Sequence, residues 1–187
     1  MNTHPDYAIN KELGECYLFM GDFDKAEGYY RKAVTVKQDL PEPYLGLATV
    51  AVQRGDLATA QTLYAQALAL KEDDKGLAGM GLVKMELGEH AEAFAYFERA
   101  ARVNPANPVA LNCLVREGYL LGLLERVIAV LENSLELAPT EDVHTSLAGC
   151  LVSLGRHTEA LKHLKSILTR NPSSVDAREL YDHLVAA

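Results

Sequence analysis

Apolar residues recur along this chain in a helical rhythm that is broken at near-constant intervals by a short polar turn. The first such run ends in Tyr17-Leu18-Phe19-Met20 and stops at Gly21-Asp22. Periodicity near 3.6 marks a helix with one buried stripe, and a glycine directly after it marks the helix end, because glycine takes the left-handed conformation at low cost. The same break returns at Gly55, Gly88, Gly122 and Gly155, so the five glycines stand 34, 33, 34 and 33 residues apart. Five positions after each comes Ala26, Ala60, Ala93, Val127 or Ala160, and four further a bulky residue, Tyr30, Tyr64, Phe97, Leu131 or Leu164. Three beyond that stand Ala33, Ala67, Ala100, Ser134 and Ile167, and Pro105, Pro139 and Pro172 close the last three periods. Self-similarity at a fixed period of this length is the signature of stacked structural repeats.

Each slot has a physical role. A small residue at Ala26 and its equivalents lets two helix backbones approach. The bulky residue four later lies one turn on along the same face and fills the gap between units. Proline cannot continue a helix and sets the turn into the next unit. The pattern therefore predicts helix pairs over 7–20 with 23–38, 42–54 with 57–70, 75–87 with 90–103, 108–121 with 124–137, and 141–154 with 157–170. Nothing shows the two-residue alternation of a strand. After Pro172, Ser173-Ser174 offers a helix cap, and 175–185 reads as a last helix covering the exposed end of the stack. The expected organisation is one domain over 1–187, with repeats at about 7–40, 41–73, 74–107, 108–140 and 141–173 and a capping helix at 174–185.

The spacing resembles the tetratricopeptide repeat family, whose pattern is W-x2-L-G-x2-Y, then A-x3-F, then P. Leu13-Gly14, Tyr17, Ala26, Tyr30 and Ala33 supply it in the first repeat, and Met80-Gly81, Ala93, Phe97 and Pro105 in the third. The chain departs from the pattern in having no tryptophan, in Ala48, Val115 and Ala148 where the glycine stands, and in Val127 for the alanine. The resemblance implies an all-α, right-handed superhelical solenoid of antiparallel helix pairs.

Composition and charge narrow the function. The net charge of −8 over 187 residues is spread: residues 1–104 hold 11 Lys/Arg against 16 Asp/Glu, and 105–187 hold 7 against 10. Without a basic stripe, neither nucleic acid nor an anionic membrane is an expected partner. Cys16, Cys113 and Cys150 are far apart, outside any CxxC or Cys/His metal spacing, and read as small buried thiols of a reducing compartment. The start, Met-Asn-Thr-His-Pro-Asp, carries no basic segment or apolar run, and no stretch approaches the ~18 apolar residues of a membrane span. The expectation is a soluble, cytoplasmic chain. Gly76, Gly79 and Gly81 suggest a phosphate loop only until their place inside a predicted helix is noticed. His157 and His163 are six apart and face different ways, and His90 and His157 occupy one repeat slot as structural or surface residues. No Ser/His/Asp set is framed for catalysis. The reading is therefore no enzyme, no metal and no cofactor.

In the family, first helices line a concave surface that contacts the ligand. Carried over slot by slot, the lining comprises Lys11, Glu15, Leu18 and Phe19, then Leu45, Gly46, Thr49 and Val52, then Ala78, Gly79, Leu82 and Met85, then Asn112, Arg116 and Tyr119, and finally Val152. The family's two-carboxylate clamp for acidic peptide ends is not met, since Lys11 is followed by Glu15, Lys75 by Gly79, and the middle slot is Gly46. What remains is a mainly apolar groove with one isolated cation, Arg116, suited to an apolar or amphipathic segment. Gly46 and Gly79, in one slot of consecutive repeats, either deepen that groove or serve tight helix packing. The expected function is a protein-binding scaffold or adaptor of the kind found in bacterial secretion, pilus or organelle assembly; the alternative is a self-assembling homo-oligomer.

Overall fold

A computed structural model describes residues 5–186; the amino-terminal Met1–His4, part of the start expected to carry no basic segment or apolar run, lies outside the described residues. The elements are α1 (Pro5–Phe19), α2 (Phe23–Val36), α3 (Glu42–Gln53), α4 (Leu57–Leu70), α5 (Asp74–Glu86), α6 (His90–Val103), α7 (Pro108–Leu121), α8 (Leu124–Leu137), α9 (Glu141–Ser153), α10 (His157–Arg170) and α11 (Val175–Ala186). Among the described residues there is no strand, and every predicted helix is found within two residues of its expected bounds. No described helix is long and apolar enough to cross a membrane.

The turns form where the sequence supplies both a stop and a start. Gly21, Gly55, Gly88, Gly122 and Gly155 have φ between 69° and 76°, a conformation that a Cβ would strain. After Gly21 and Gly55 an acceptor side chain caps the next helix, Asp22 accepting from Lys25 N at 3.1 Å and Asp56 from Thr59 N at 3.0 Å; between repeats Asn107 caps α7 by accepting from Ala110 N at 2.9 Å, whereas α8 and α10 start without a side-chain cap. Each cap satisfies one of the orphan amides of a helix N-terminus, worth about 1 kcal/mol.

The chain falls into two compact units, Met1–Tyr96 and Phe97–Ala187, divided within α6. In the first, α1 packs on α2, α2 on α3, α3 on α4 and α4 on α5. In the second, α7 packs on α8, α8 on α9, α9 on α10 and α10 on α11. First helices also touch one another, α1 with α3, α3 with α5, and α7 with α9, so within each unit they present a shared face. The core consists of the slots that the repeat predicts: Ala26, Ala60, Ala93, Val127 and Ala160 are fully buried, and Tyr30, Phe97, Leu131 and Leu164 nearly so. On α11, Ala177 and Leu184 are buried.

One expectation fails among the cysteines. Cys150 is buried and Cys113 half-buried, but Cys16 is exposed, because it lies on the side of α1 that α2 and α3 leave uncovered.

Candidate functional site

The first-helix face of the first unit is largely occupied by its own packing. A Cβ added at Gly46 would lie 2.3 Å from the Tyr30 ring, and one at Gly79 would lie 2.3 Å from Tyr64. The rings fill the space that the missing side chains leave. Of the two readings left open for these glycines, a deepened groove or tight helix packing, the close approach of the rings favours packing. Gly14 shows the same close approach to the Tyr30 ring, at 2.7 Å. Ala78 is buried as well.

Leu18, Leu45 and Val52 are half-buried against the two cores of this unit, around Tyr30 and Tyr64 respectively, so most of their apolar surface is already used. Thr49 donates to the Leu45 carbonyl at 2.9 Å and lies 3.3 Å from the Tyr64 hydroxyl. Burial pushes the Tyr64 phenol above its ordinary value, and the Thr49 contact works against that shift. Lys11 is held by Glu15 at 2.9 Å. Leu82 and Met85 are half-buried, and Phe19, at 94% exposure, projects from the end of α1. In the first unit, then, the expected residues are divided between helix packing and exposed surface.

The second unit differs. On α7, Asn112 and Arg116 are exposed, and Val109, Tyr119 and Leu120 are exposed apolar residues. The Tyr119 hydroxyl meets Ser153 Oγ of α9 at 3.1 Å, next to half-buried Val152. Here one helix carries exposed apolar surface on either side of a cation.

A further cluster was not singled out from the sequence. His144 Nδ1 of α9 lies 3.1 Å from His163 Nδ1 of α10, with Ser166 Oγ 3.4 Å from His144 Nε2. Burial, first of all, holds both imidazoles below their ordinary value. The signal was present in the repeat register, which aligns the pair with Leu111 and Val130, Leu77 and Tyr96, and Tyr44 and Leu63. The two slots hold apolar or aromatic residues in the second, third and fourth repeats and Asn10 and Tyr29 in the first, and turn to histidine together only in the fifth. Among the described residues no three His, Cys, Asp or Glu side chains gather to hold a metal ion.

Two models described as tetratricopeptide repeat match residues 7–73 and 45–108, together more than half of the chain. The chain belongs to the tetratricopeptide repeat family. Solved structures agree on the fold, an all-α helical-repeat solenoid. The Pseudomonas aeruginosa pilF structure superposes with a TM-score of 0.73 at 19% identity, covering 97% of this chain and 83% of that one. MamA does so at 0.67 and 19%, covering 93% and 96%. YrrB, described as a TPR protein with an unusual peptide-binding site, gives 0.63 at 18%, covering 95% and 91%. Among curated proteins, this tetratricopeptide chain is 30% identical over 108 residues to the BBSome complex member BBS4 of Bos taurus, covering 57% of this chain and 20% of that protein. It is 28% identical over 143 residues to the trafficking protein particle complex subunit 12 of Homo sapiens, covering 72% and 20%. The chain thus spans about a fifth of the length of these curated relatives.

Proposed function

We propose that this chain is a non-catalytic scaffold or adaptor that holds an apolar or amphipathic segment of another protein on its first-helix face. The observation that carries the reading is α7, where Tyr119 and Leu120 are 46% and 60% exposed next to the exposed Arg116. Apolar surface rimmed by charge and left unused by the fold is the usual mark of an interaction site. A place within a multi-protein assembly, of the secretion, pilus or organelle-building kind, fits this role; two curated relatives are by name components of complexes. The test is capture from a native extract with the intact chain and with the Tyr119→Lys, Leu120→Lys double variant. A partner lost from the variant while its helical circular dichroism is unchanged supports the reading. The same captured set on both baits rejects it.

A further inference from the structure

The repeat register exposes one layer that is short of atoms. It sets the bulky second-helix residue of each repeat against a first-helix slot of the next: Tyr30 with Gly46, Tyr64 with Gly79, Phe97 with Cys113, Leu131 with Ser146, and Leu164 with Leu180. For Tyr30 and Tyr64 the ring occupies the place of the glycine's absent side chain. In the register a large residue is matched with a small one in the first four pairs, and two mid-sized residues with each other in the last. At Leu131 and Ser146 the aromatic is lost and nothing replaces its bulk. A cavity of about 90 Å³ opens there, floored by Leu111, Leu131 and Val143 and rimmed by Asn112, Asp142 and Ser146. The floor is buried, whereas Asn112 and Asp142 are exposed. At ~30 Å³ per water the cavity holds roughly three waters' worth of atoms. That is well below the ~300–1,000 Å³ of a small-molecule site and suits the end of one side chain.

We propose that this cavity receives a single apolar side chain from a helix of a partner protein, and that the same helix carries an acidic residue one turn away to meet Arg116. The proposal rests on the scaffold reading and specifies its partner. The apolar floor lacks the atoms that an aromatic supplies in the first three repeats, so an apolar side chain completes the layer. Arg116 stands four residues after Asn112 on α7, about 6 Å further along the helix. Neither Arg116 nor Asp142 has an ion-pair partner among the described residues. The face therefore presents a carboxylate at the cavity rim and a cation one turn beyond, which orders the charges of what docks: acid over Arg116, none over Asp142. Tyr119 and Leu120 lie one further turn on and offer a second apolar contact. Residues i, i+3 or i+4, and i+7 share a helix face, so an amphipathic helix with apolar, acidic and apolar residues at those spacings matches the surface.

The probe is a displayed library of helical peptides of about 16 residues, randomised along one face and selected on the intact chain. Selected peptides are expected to show an acidic residue three or four positions from an apolar one. A labelled selected peptide should lose roughly tenfold or more in affinity on Arg116→Glu and on Leu131→Phe. Leu131→Phe supplies the missing bulk from within, so it should also raise the melting temperature. Asn112→Trp, at an exposed rim position, closes the mouth without entering the core and guards against misfolding at residue 131. Reselection on Arg116→Glu should replace the acidic preference with a basic one. Peptides that bind the intact chain and are indifferent to all three substitutions overturn this inference and leave the scaffold reading in place. A higher melting temperature for Leu131→Phe with unchanged binding assigns the cavity to imperfect packing. A library yielding no binder to the intact chain overturns both readings.

Discussion

Tyr30 and Tyr64 decide how the first helices of this chain approach one another. Each ring sits where a side chain at Gly46 or Gly79 would stand, so the helices close to a distance that only glycine allows. Gly46→Leu and Gly79→Leu should each destabilise the protein by ~1–3 kcal/mol through overpacking, read as a lower urea midpoint. Shrinking the ring in the same chain, Tyr30→Leu with Gly46→Leu, sets two leucines in this layer, as the register has at positions 164 and 180, and should recover part of the loss. Two single effects that simply add would refute the size match. The histidine pair carries a pH dependence of definite sign. For His144 burial leads, followed by the His163 and Arg170 charges; for His163 burial leads, Lys162 adds to it, and Glu132 and Glu159 oppose it. The unfolded chain therefore binds protons at a pH where the folded one does not, and stability rises with pH through that window. Stability is complete above the ordinary histidine value of about 6.5 and declines as the pH falls below it. Melting temperatures at pH 7.5 and 5.5 should differ more for this chain than for His144→Leu, His163→Leu, which restores the apolar pairing of the second to fourth repeats. Equal differences would show that the pair does not contribute.

At the level of elements, the helices owe their bounds to local chemistry. Left-handed glycines end the first helices, and Asp22, Asp56, Asp73, Asn107 and Thr140 accept from amides three residues on. Removing one such acceptor, as in Asp56→Ala, should lower stability by ~1 kcal/mol without altering the spectrum of the folded protein. A spectrum that loses helix signal beyond the first turn of α4 would mean that the cap also nucleates it. The last helix, α11, buries two side chains, Ala177 and Leu184, and rests on α10. Deleting residues 174–187 uncovers the apolar side of α10, including Leu164 and Ile167, now 1% exposed each. At ~25 cal/mol per Å² the expected loss is a few kcal/mol, with association or fraying at that end. A truncated chain that stays monomeric with an unchanged melting point would show that α11 does not act as a cap.

For the molecule as a whole, the described contacts join helices close in sequence, as expected of a repeat array whose units stabilise their neighbours. The surface left over differs between the units. In the first, Phe19 and Met20 are 94% and 71% exposed at the end of α1; in the second, Tyr119 and Leu120 stand out beside Arg116. Sedimentation across a concentration series separates a scaffold from a self-assembling chain. The scaffold reading expects a monomer throughout. Association that rises with concentration and vanishes in Phe19→Lys, Met20→Lys would instead place a self-contact at that tip.

The number, order and bounds of the helices were legible in the amino-acid sequence, because each depends on residues within a few positions of one another: a glycine that can turn, a carboxylate that can cap, an apolar stripe at helical spacing. So were the buried alanines and the aromatic that follows them, since a repeat places equivalent residues in equivalent surroundings. Which first-helix residues remain open to a partner was not legible. Leu18, Leu45 and Val52 have the same spacing and apolarity as Tyr119 and Leu120, yet the former are half-buried against neighbouring helices, whereas Leu120 is 60% exposed and Tyr119, bonded to Ser153 of α9 through its hydroxyl, is still 46% exposed. Gly46 and Gly79 fit a groove and a packing contact equally well until the Tyr30 and Tyr64 rings are seen against them. The cavity between Leu131 and Ser146 and the meeting of His144 with His163 arise between helices, and only the tertiary structure decides them. Accessibility and side-chain volume across an interface are properties of pairs of distant residues, set by how closely two helices approach.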